Sequence, residues 1–323
     1  MKKLMFLFLV IFNFSVFSEI REFNGDLWGL LTDGEKIFSL VYYEKYQKLQ
    51  IVYPIEKGTA PLSKFKSFYR YYELINNKIV TLFDNNVFIY DTNLKLIKKL
   101  KLPKNENEYH FNYSLNSINP GKKSIIIIGE KSQRCFLLNN LELKELKNEF
   151  VFDEKKIEFK NNIILINGYT TTLKYRRFSS MVHFLFVLDN EFILVRNSLF
   201  DNSGKLIVEL PFTLGVDDAI ILENLYILFN PENIVIISKK GEVIKVIKEG
   251  NPGILGNLNQ DQVVLTINDQ YLGLLSLKTL DLQKKDLGEE ISSAVLLDDK
   301  LFYVPKNNYK ILKTTPLKDI FVE

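Results

Sequence analysis

The sequence is poor in the residues that most often carry chemistry. It has one cysteine, two histidines and one tryptophan in 323 residues. A single cysteine, Cys135, cannot form an internal disulfide, so stability must come from a buried core. It lies in the strand-like run Cys135-Phe136-Leu137-Leu138 and is expected to be an inert, buried thiol. One cysteine and two histidines also cannot supply the closed nitrogen and sulfur set of a structural zinc site. His110 sits in Glu108-Tyr109-His110-Phe111 and His183 in Val182-His183-Phe184, neither beside a nucleophile motif, so both read as ordinary strand positions. No catalytic residue, metal ligand or cofactor is assigned, and the chain is expected not to be an enzyme.

Also missing is a linker. Glycine (15) and proline (9) are sparse, and no stretch is rich in them or in serine, which favours one domain. Asn251-Pro252-Gly253-Ile254-Leu255-Gly256-Asn257 is glycine-rich, but it lacks the Lys-Ser/Thr pair of a phosphate loop and reads as a loop between repeats. The aspartate and asparagine turns at Asp84-Asn85-Asn86, Asp217-Asp218 and Asp298-Asp299 have no calcium-loop spacing, and turn chemistry explains them.

The one long apolar run is at the start. Lys2 and Lys3 precede an apolar core over residues 4–14, and Val16-Phe17-Ser18 gives the small-to-medium residues that a signal peptidase reads. The expectation is a signal peptide over residues 1–18, cleaved near Ser18-Glu19, followed by one domain over residues 19–323. A membrane anchor would need about 20 apolar residues, whereas this run is broken at Asn13 and Ser15. Without Lys2 and Lys3, 40 basic residues face 39 acidic ones. Such a balance offers no basic footprint for nucleic acid.

What is present in abundance is strand. Residues 77–103 read as three successive strands: Ile79 to Phe83, a turn at Asp84-Asn85-Asn86, Val87 to Tyr90, a break at Asp91-Thr92-Asn93, and a lysine-rich strand over 96–102. Similar openings recur at Lys36, Lys78, Lys123, Asn162, Glu191, Asn224, Gln262 and Lys300, spaced 42, 45, 39, 29, 33, 38 and 38 residues apart. Residues 225–247 and 263–287 repeat the whole layout. Residues 141–150 are the best candidate for a helix, yet LELKELK fits a strand equally.

Short strands in units of about 40 residues are the signature of a β-propeller built of four-stranded blades. VFIYDTNLKLIKKLKLP, over residues 87–103, resembles the broad superfamily of bacterial propeller repeats whose units run apolar strand, turn, strand ending in Asp, turn, lysine-rich strand. The resemblance implies an all-β fold, a single β-propeller of seven blades, with eight as the alternative. Asn162 and Glu191 are close enough to belong to one blade. Residues 22–31 are expected to close the ring against strands near 301–304.

Function must lie in what the repeats do not share. Between Phe38 and Tyr72 aromatic residues crowd with lysines and Arg70. Phe68, Tyr69, Arg70, Tyr71 and Tyr72 are the candidate binding residues there, because tyrosine suits partner surfaces. Tyr175-Arg176-Arg177-Phe178 adds Arg176 and Arg177 as a second, cationic candidate. The competing reading is that strand alternation buries half of the aromatics. The leading functional expectation is an exported, monomeric, non-enzymatic scaffold that binds an envelope or surface protein, in the periplasm or elsewhere in the cell envelope. The alternative is an enzyme or sugar binder using the central channel, with Asp217 and Asp218 as carboxylates.

Overall fold

The structure, a computed structural model, describes residues 19–321 apart from 45, 55–58, 65–71, 76, 84, 105–108, 113–124, 130–134, 140, 147–151, 161–162, 170–184, 188–191, 196–197, 202–205, 212–215 and 217. These residues form seven four-stranded antiparallel sheets and one two-stranded pair. In chain order the first sheet spans residues 26–64, the second 72–101, the third 109–146, the fourth 185–209, the fifth 218–247 and the sixth 253–286. Phe152–Lys160 and Ile163–Tyr169 form the pair. The closing sheet takes three strands from residues 291–316 and its fourth from the other end of the chain, Glu19–Glu22, which pairs with Ile311–Pro316.

All eight repeat openings fall on second strands, in eight different sheets: Ile37–Tyr43, Lys78–Phe83, Ile125–Gly129, Ile163–Tyr169, Phe192–Val195, Leu225–Phe229, Gln262–Ile267 and Lys300–Pro305. The sequence unit is therefore offset by one strand from the sheet. Ile163–Tyr169 and Phe192–Val195, expected to share a blade, belong to separate sheets. Glu142–Leu146 is the outer strand of the third sheet, so this described part of residues 141–150 is strand and not helix. The glycine-rich stretch expected to be a loop is mostly a strand: Gly253–Asn259 opens the sixth sheet, with irregular pairing at Ile254/Gly256 and Asn257/Asn259.

Second strands such as LYILF and KLFYVP, and the third strand IVIIS, are nearly continuous apolar runs because both of their faces are buried. In the fifth sheet, Tyr226 and Leu228 pack back onto Leu199 of the fourth sheet, while Ile227 and Phe229 pack forward onto Val263 and Leu265 of the sixth. The same face-to-face packing joins the first sheet to the second, the second to the third, and the sixth to the closing sheet. A last cluster, with Leu27 and Val41 opposite Phe302 and Leu312, joins the closing sheet to the first. Sheets that pack in succession and return to their start make a β-propeller.

Ring closure packs Leu27 and Leu30 with Phe302 and Val304 as expected, whereas the strand pairing that completes it uses other residues. The strand that completes the closing sheet is Glu19–Glu22, in register with Ile311 to Thr314. Asp26–Thr32 instead begins the first sheet. Three residues, Phe23 to Gly25, separate the two strands and carry the chain from the outer edge of one sheet to the inner edge of the next.

Candidate functional site

The first strands of neighbouring sheets converge at the inner edge of the ring, and the side chains there are the ones that sheet packing leaves over. Leu30 N donates to Ser293 Oγ (2.8 Å), linking the first strands of the first and closing sheets. Tyr72 Oη donates to Trp28 O (3.0 Å), linking those of the second and first. Trp28 stands between these two links.

A β-bulge makes the position. Pairing between Asp26–Thr32 and Ile37–Tyr43 slips between Trp28 and Leu31, and Gly29 takes φ +64°. A side chain there would be strained, and a Cβ would sit 2.7 Å from Tyr72 Oη. Ser39 Oγ donates to the Gly29 carbonyl at 2.9 Å and fixes the kink from behind. The bulge turns Trp28 outward, leaving it 49% exposed although its neighbour Leu27 is fully buried.

Trp28 is held by rings from two sheets. Its indole stacks on Tyr309 of the closing sheet (centroids 5.6 Å, interplanar 10°) and meets Tyr42 of the first at 5.4 Å and 53°. Leu27 N donates to Tyr309 O at 2.7 Å, which locks the Tyr309 hairpin in place. At the adjacent hairpin tip Tyr43 and Tyr46 stack at 4.6 Å, and Lys48 Nζ lies 5.7 and 5.2 Å from their ring centroids. Burial, reinforced by Tyr46, holds the Tyr43 hydroxyl above its ordinary pKa, and it donates to Gln50 Oε1 at 3.3 Å. These are two preformed aromatic groupings, Trp28 with Tyr42 and Tyr309, and Tyr43 with Tyr46, the second bordered by the Lys48 ammonium. They suit apolar and π contacts at low entropic cost, since each ring is already fixed.

Of the candidate binding residues, Tyr72 is described, and it supports the Trp28 backbone from the half-buried side. Phe68, Tyr69, Arg70, Tyr71, Arg176 and Arg177 lie outside the described residues, as do His183 and Asp217. The described part of the aromatic run is graded along its strands and does not alternate: Phe38 is fully buried, Tyr42, Tyr43 and Tyr53 are intermediate, and Tyr46 is exposed. His110 lies in the strand Tyr109–Asn112, opposite Ile128. Asp218 opens the first strand of the fifth sheet, where its carboxylate accepts from Ala219 N. Among the described residues there is no group of three or more His, Cys, Asp or Glu placed to hold a metal ion. Sequence reasoning missed Trp28 and Tyr309. The one available signal was Trp28-Gly29, the lone tryptophan followed by the residue that permits a bulge.

No protein-family model and no curated protein matches the chain. Among solved structures, a chain of the mitotic checkpoint complex superposes with a TM-score of 0.53 at 10% identity, covering 92% of this chain and 93% of that one. BamB from Moraxella catarrhalis gives 0.44 at 10% identity, over 89% and 83%. The computationally designed Ika8 protein gives 0.45 at 10%, over 90% and 83%. The first of these likenesses bears on the fold, and on the fold alone.

Proposed function

We propose that this protein is an exported, non-enzymatic β-propeller of the bacterial cell envelope that binds another protein through the aromatic surface around Trp28. The observation that carries the reading is the combination of exposure and fixation: an indole 49% exposed, yet clamped between Tyr42 and Tyr309 and anchored through Tyr72. A large exposed ring held rigid by its own scaffold is what an interface hot spot requires. Tyr46, stacked on Tyr43 and bordered by Lys48, is the second grouping, at the adjacent hairpin tip. Export is supported by the basic, then apolar, N-terminal segment. Cleavage at Ser18-Glu19 would leave the closing strand Glu19–Glu22 whole.

The test is capture from envelope extract with the wild-type chain and with a Trp28→Ala, Tyr309→Ala variant, each checked for its fold. Loss of a specific partner in the variant supports the reading. Identical partners for both proteins sink it.

A further inference from the structure

The outer strands of the four-stranded sheets differ most in charge. ELKEL and EIRE each carry two glutamates against one basic residue, LIVE ends in Glu209, and TAPLSK has a single lysine. In VIKVI the one lysine is paired, Lys245 Nζ with Asp281 Oδ1 at 2.8 Å, and LQKKD ends in an aspartate and pairs Lys284 with Glu249 at 2.9 Å. The second sheet is the exception. Its outer strand, Leu96–Lys101, reads LIKKLK, and residues 92–105 hold five lysines, Lys95, Lys98, Lys99, Lys101 and Lys104, with no acidic residue. All five are exposed, and among the described residues none is paired with a carboxylate; Lys99 Nζ lies over the Phe88 ring, 5.1 Å from its centroid. Two bare aliphatic side chains stand beside them, Leu96 at 48% exposure and Ile97 at 44%. A β-bulge falls here, since Lys98 is opposite Ile89 and Leu96 opposite Tyr90, which leaves Ile97 as the extra residue. The same bulge recurs at Ile207 and Ile244. The aliphatic corner therefore belongs to the repeat, and the run of unpaired ammonium groups to the second sheet.

We propose that this edge docks the protein on an anionic lipid bilayer, with the lysines against phospholipid headgroups and Leu96 and Ile97 entering the headgroup boundary. The strand itself disfavours a peptide partner. A bulge and a row of lysines both stop another strand from pairing along an edge. Lysine offers a mobile point charge rather than a fixed fork, so ammonium groups with no carboxylate to orient them build no pocket for one particular acidic side chain. A bilayer demands neither register nor orientation. Each basic residue close to an anionic membrane contributes about fivefold to binding, and the aliphatic pair supplies the apolar component that works together with charge at such surfaces. The edge lies across the second sheet from Tyr72, whose strand faces Trp28. This proposal and the Trp28 reading can therefore fail independently.

Vesicle flotation of the chain beginning at Glu19 tests it; that chain holds every described strand and lacks the apolar N-terminal run, which would enter lipid by itself. Binding is expected to vesicles of mixed phosphatidylglycerol and phosphatidylcholine, not to phosphatidylcholine alone, and should weaken as salt is raised. Replacing Lys95, Lys98 and Lys101 together by Gln should weaken it about a hundredfold, and Ile97→Ser should weaken it further, with circular dichroism confirming each fold. A control that removes the same charge elsewhere, Lys240→Gln with Lys248→Gln and Lys285→Gln, all at exposed sites, should keep most of the binding. Failure to bind the anionic vesicles overturns the proposal. So does equal loss in the two triple variants, which would make net charge the cause. Binding to poly-glutamate with none to vesicles also overturns it and assigns the edge to an acidic polypeptide.

Discussion

Leu94, Leu141 and Leu280 adopt φ of 60°, 64° and 59°, a region that costs a branched side chain about 1–2 kcal/mol. All three occupy the corner between the third and fourth strands of a sheet. In the second sheet that corner is closed by Leu94 N donating to Asp91 O (3.0 Å) and Asp91 N to Lys95 O (3.1 Å), with Asp91 Oδ1 accepting from Asn93 and Lys95 N. Ser238 and Gly241 make the same corner in the fifth sheet. Leucine is tolerated because it reaches back into the preceding sheet: Leu94 packs with Phe38 and Leu49, and Leu280 against the cluster of Ile227 and Ile234. Leu94→Ala should therefore lose about 2–5 kcal/mol while keeping the strain. Leu94→Gly, which relieves it, should be the less harmful of the two, reversing the usual order, and urea midpoints of the two variants will show this. Asp91 was legible in the sequence as the aspartate that ends an apolar strand. Leu94 was not, because no local rule puts leucine at positive φ; its reason lies one sheet away.

A second residue-scale prediction concerns alkaline pH. Tyr303 donates to Glu289 Oε1 at 2.9 Å, and Lys313 Nζ donates to the same oxygen at 2.5 Å. Burial, then the bond to the Glu289 carboxylate and its charge, push the Tyr303 hydroxyl well above its ordinary value of 10.0. A raised folded-state pKa means the stabilisation is complete below about pH 10 and is lost as pH climbs from there toward the folded value. Tyr303→Phe should flatten the fall in thermal midpoint above pH 10, at the cost of a lower midpoint at neutral pH from the lost hydrogen bond.

At the scale of the element, the difference between second and first strands explains what the sequence disclosed. LYILF, QVVLTI and KLFYVP announce themselves because both faces are buried, which makes an unbroken apolar run. DLWGLLT, GILGNLN and ISSAVLL do not, since bulges interrupt their two-residue period. The candidate site grew from one of those bulges, so the feature that exposes Trp28 also hid it. Gly29→Ala tests the link between bulge and site. The added Cβ, 2.7 Å from Tyr72 Oη and on a backbone with φ +64°, must displace Tyr72 or straighten the strand. Trp28 is the sole tryptophan, so its emission reports directly: a spectral shift and a lower thermal midpoint are expected, against no change if the bulge is immaterial.

At the scale of the molecule, the closing sheet makes stability a property of the whole chain. Removing Glu19–Glu22 would uncover the edge of Ile311–Pro316, four paired residues in all, and loosen the link between the first and closing sheets. Deletion through residue 22 is expected to lower the thermal midpoint and to promote aggregation through the bared edge, both measurable by calorimetry and light scattering beside a version starting at Glu19. The period of about 40 residues made the repeats readable. Which strand would close the ring was not, because EIRE is too short and too charged to stand out as a strand by itself.

That closure also sets a clock. The first sheet packs against Phe302 and Leu312, so some of its core partners are made long after it. At about 5–20 residues per second, the ribosome finishes residue 316 roughly 12–50 s after residue 64. Through that interval the apolar flank formed by Leu27, Ile37 and Val52 has nothing of its own chain to lie against. A ring built this way cannot close until its closing sheet has been made.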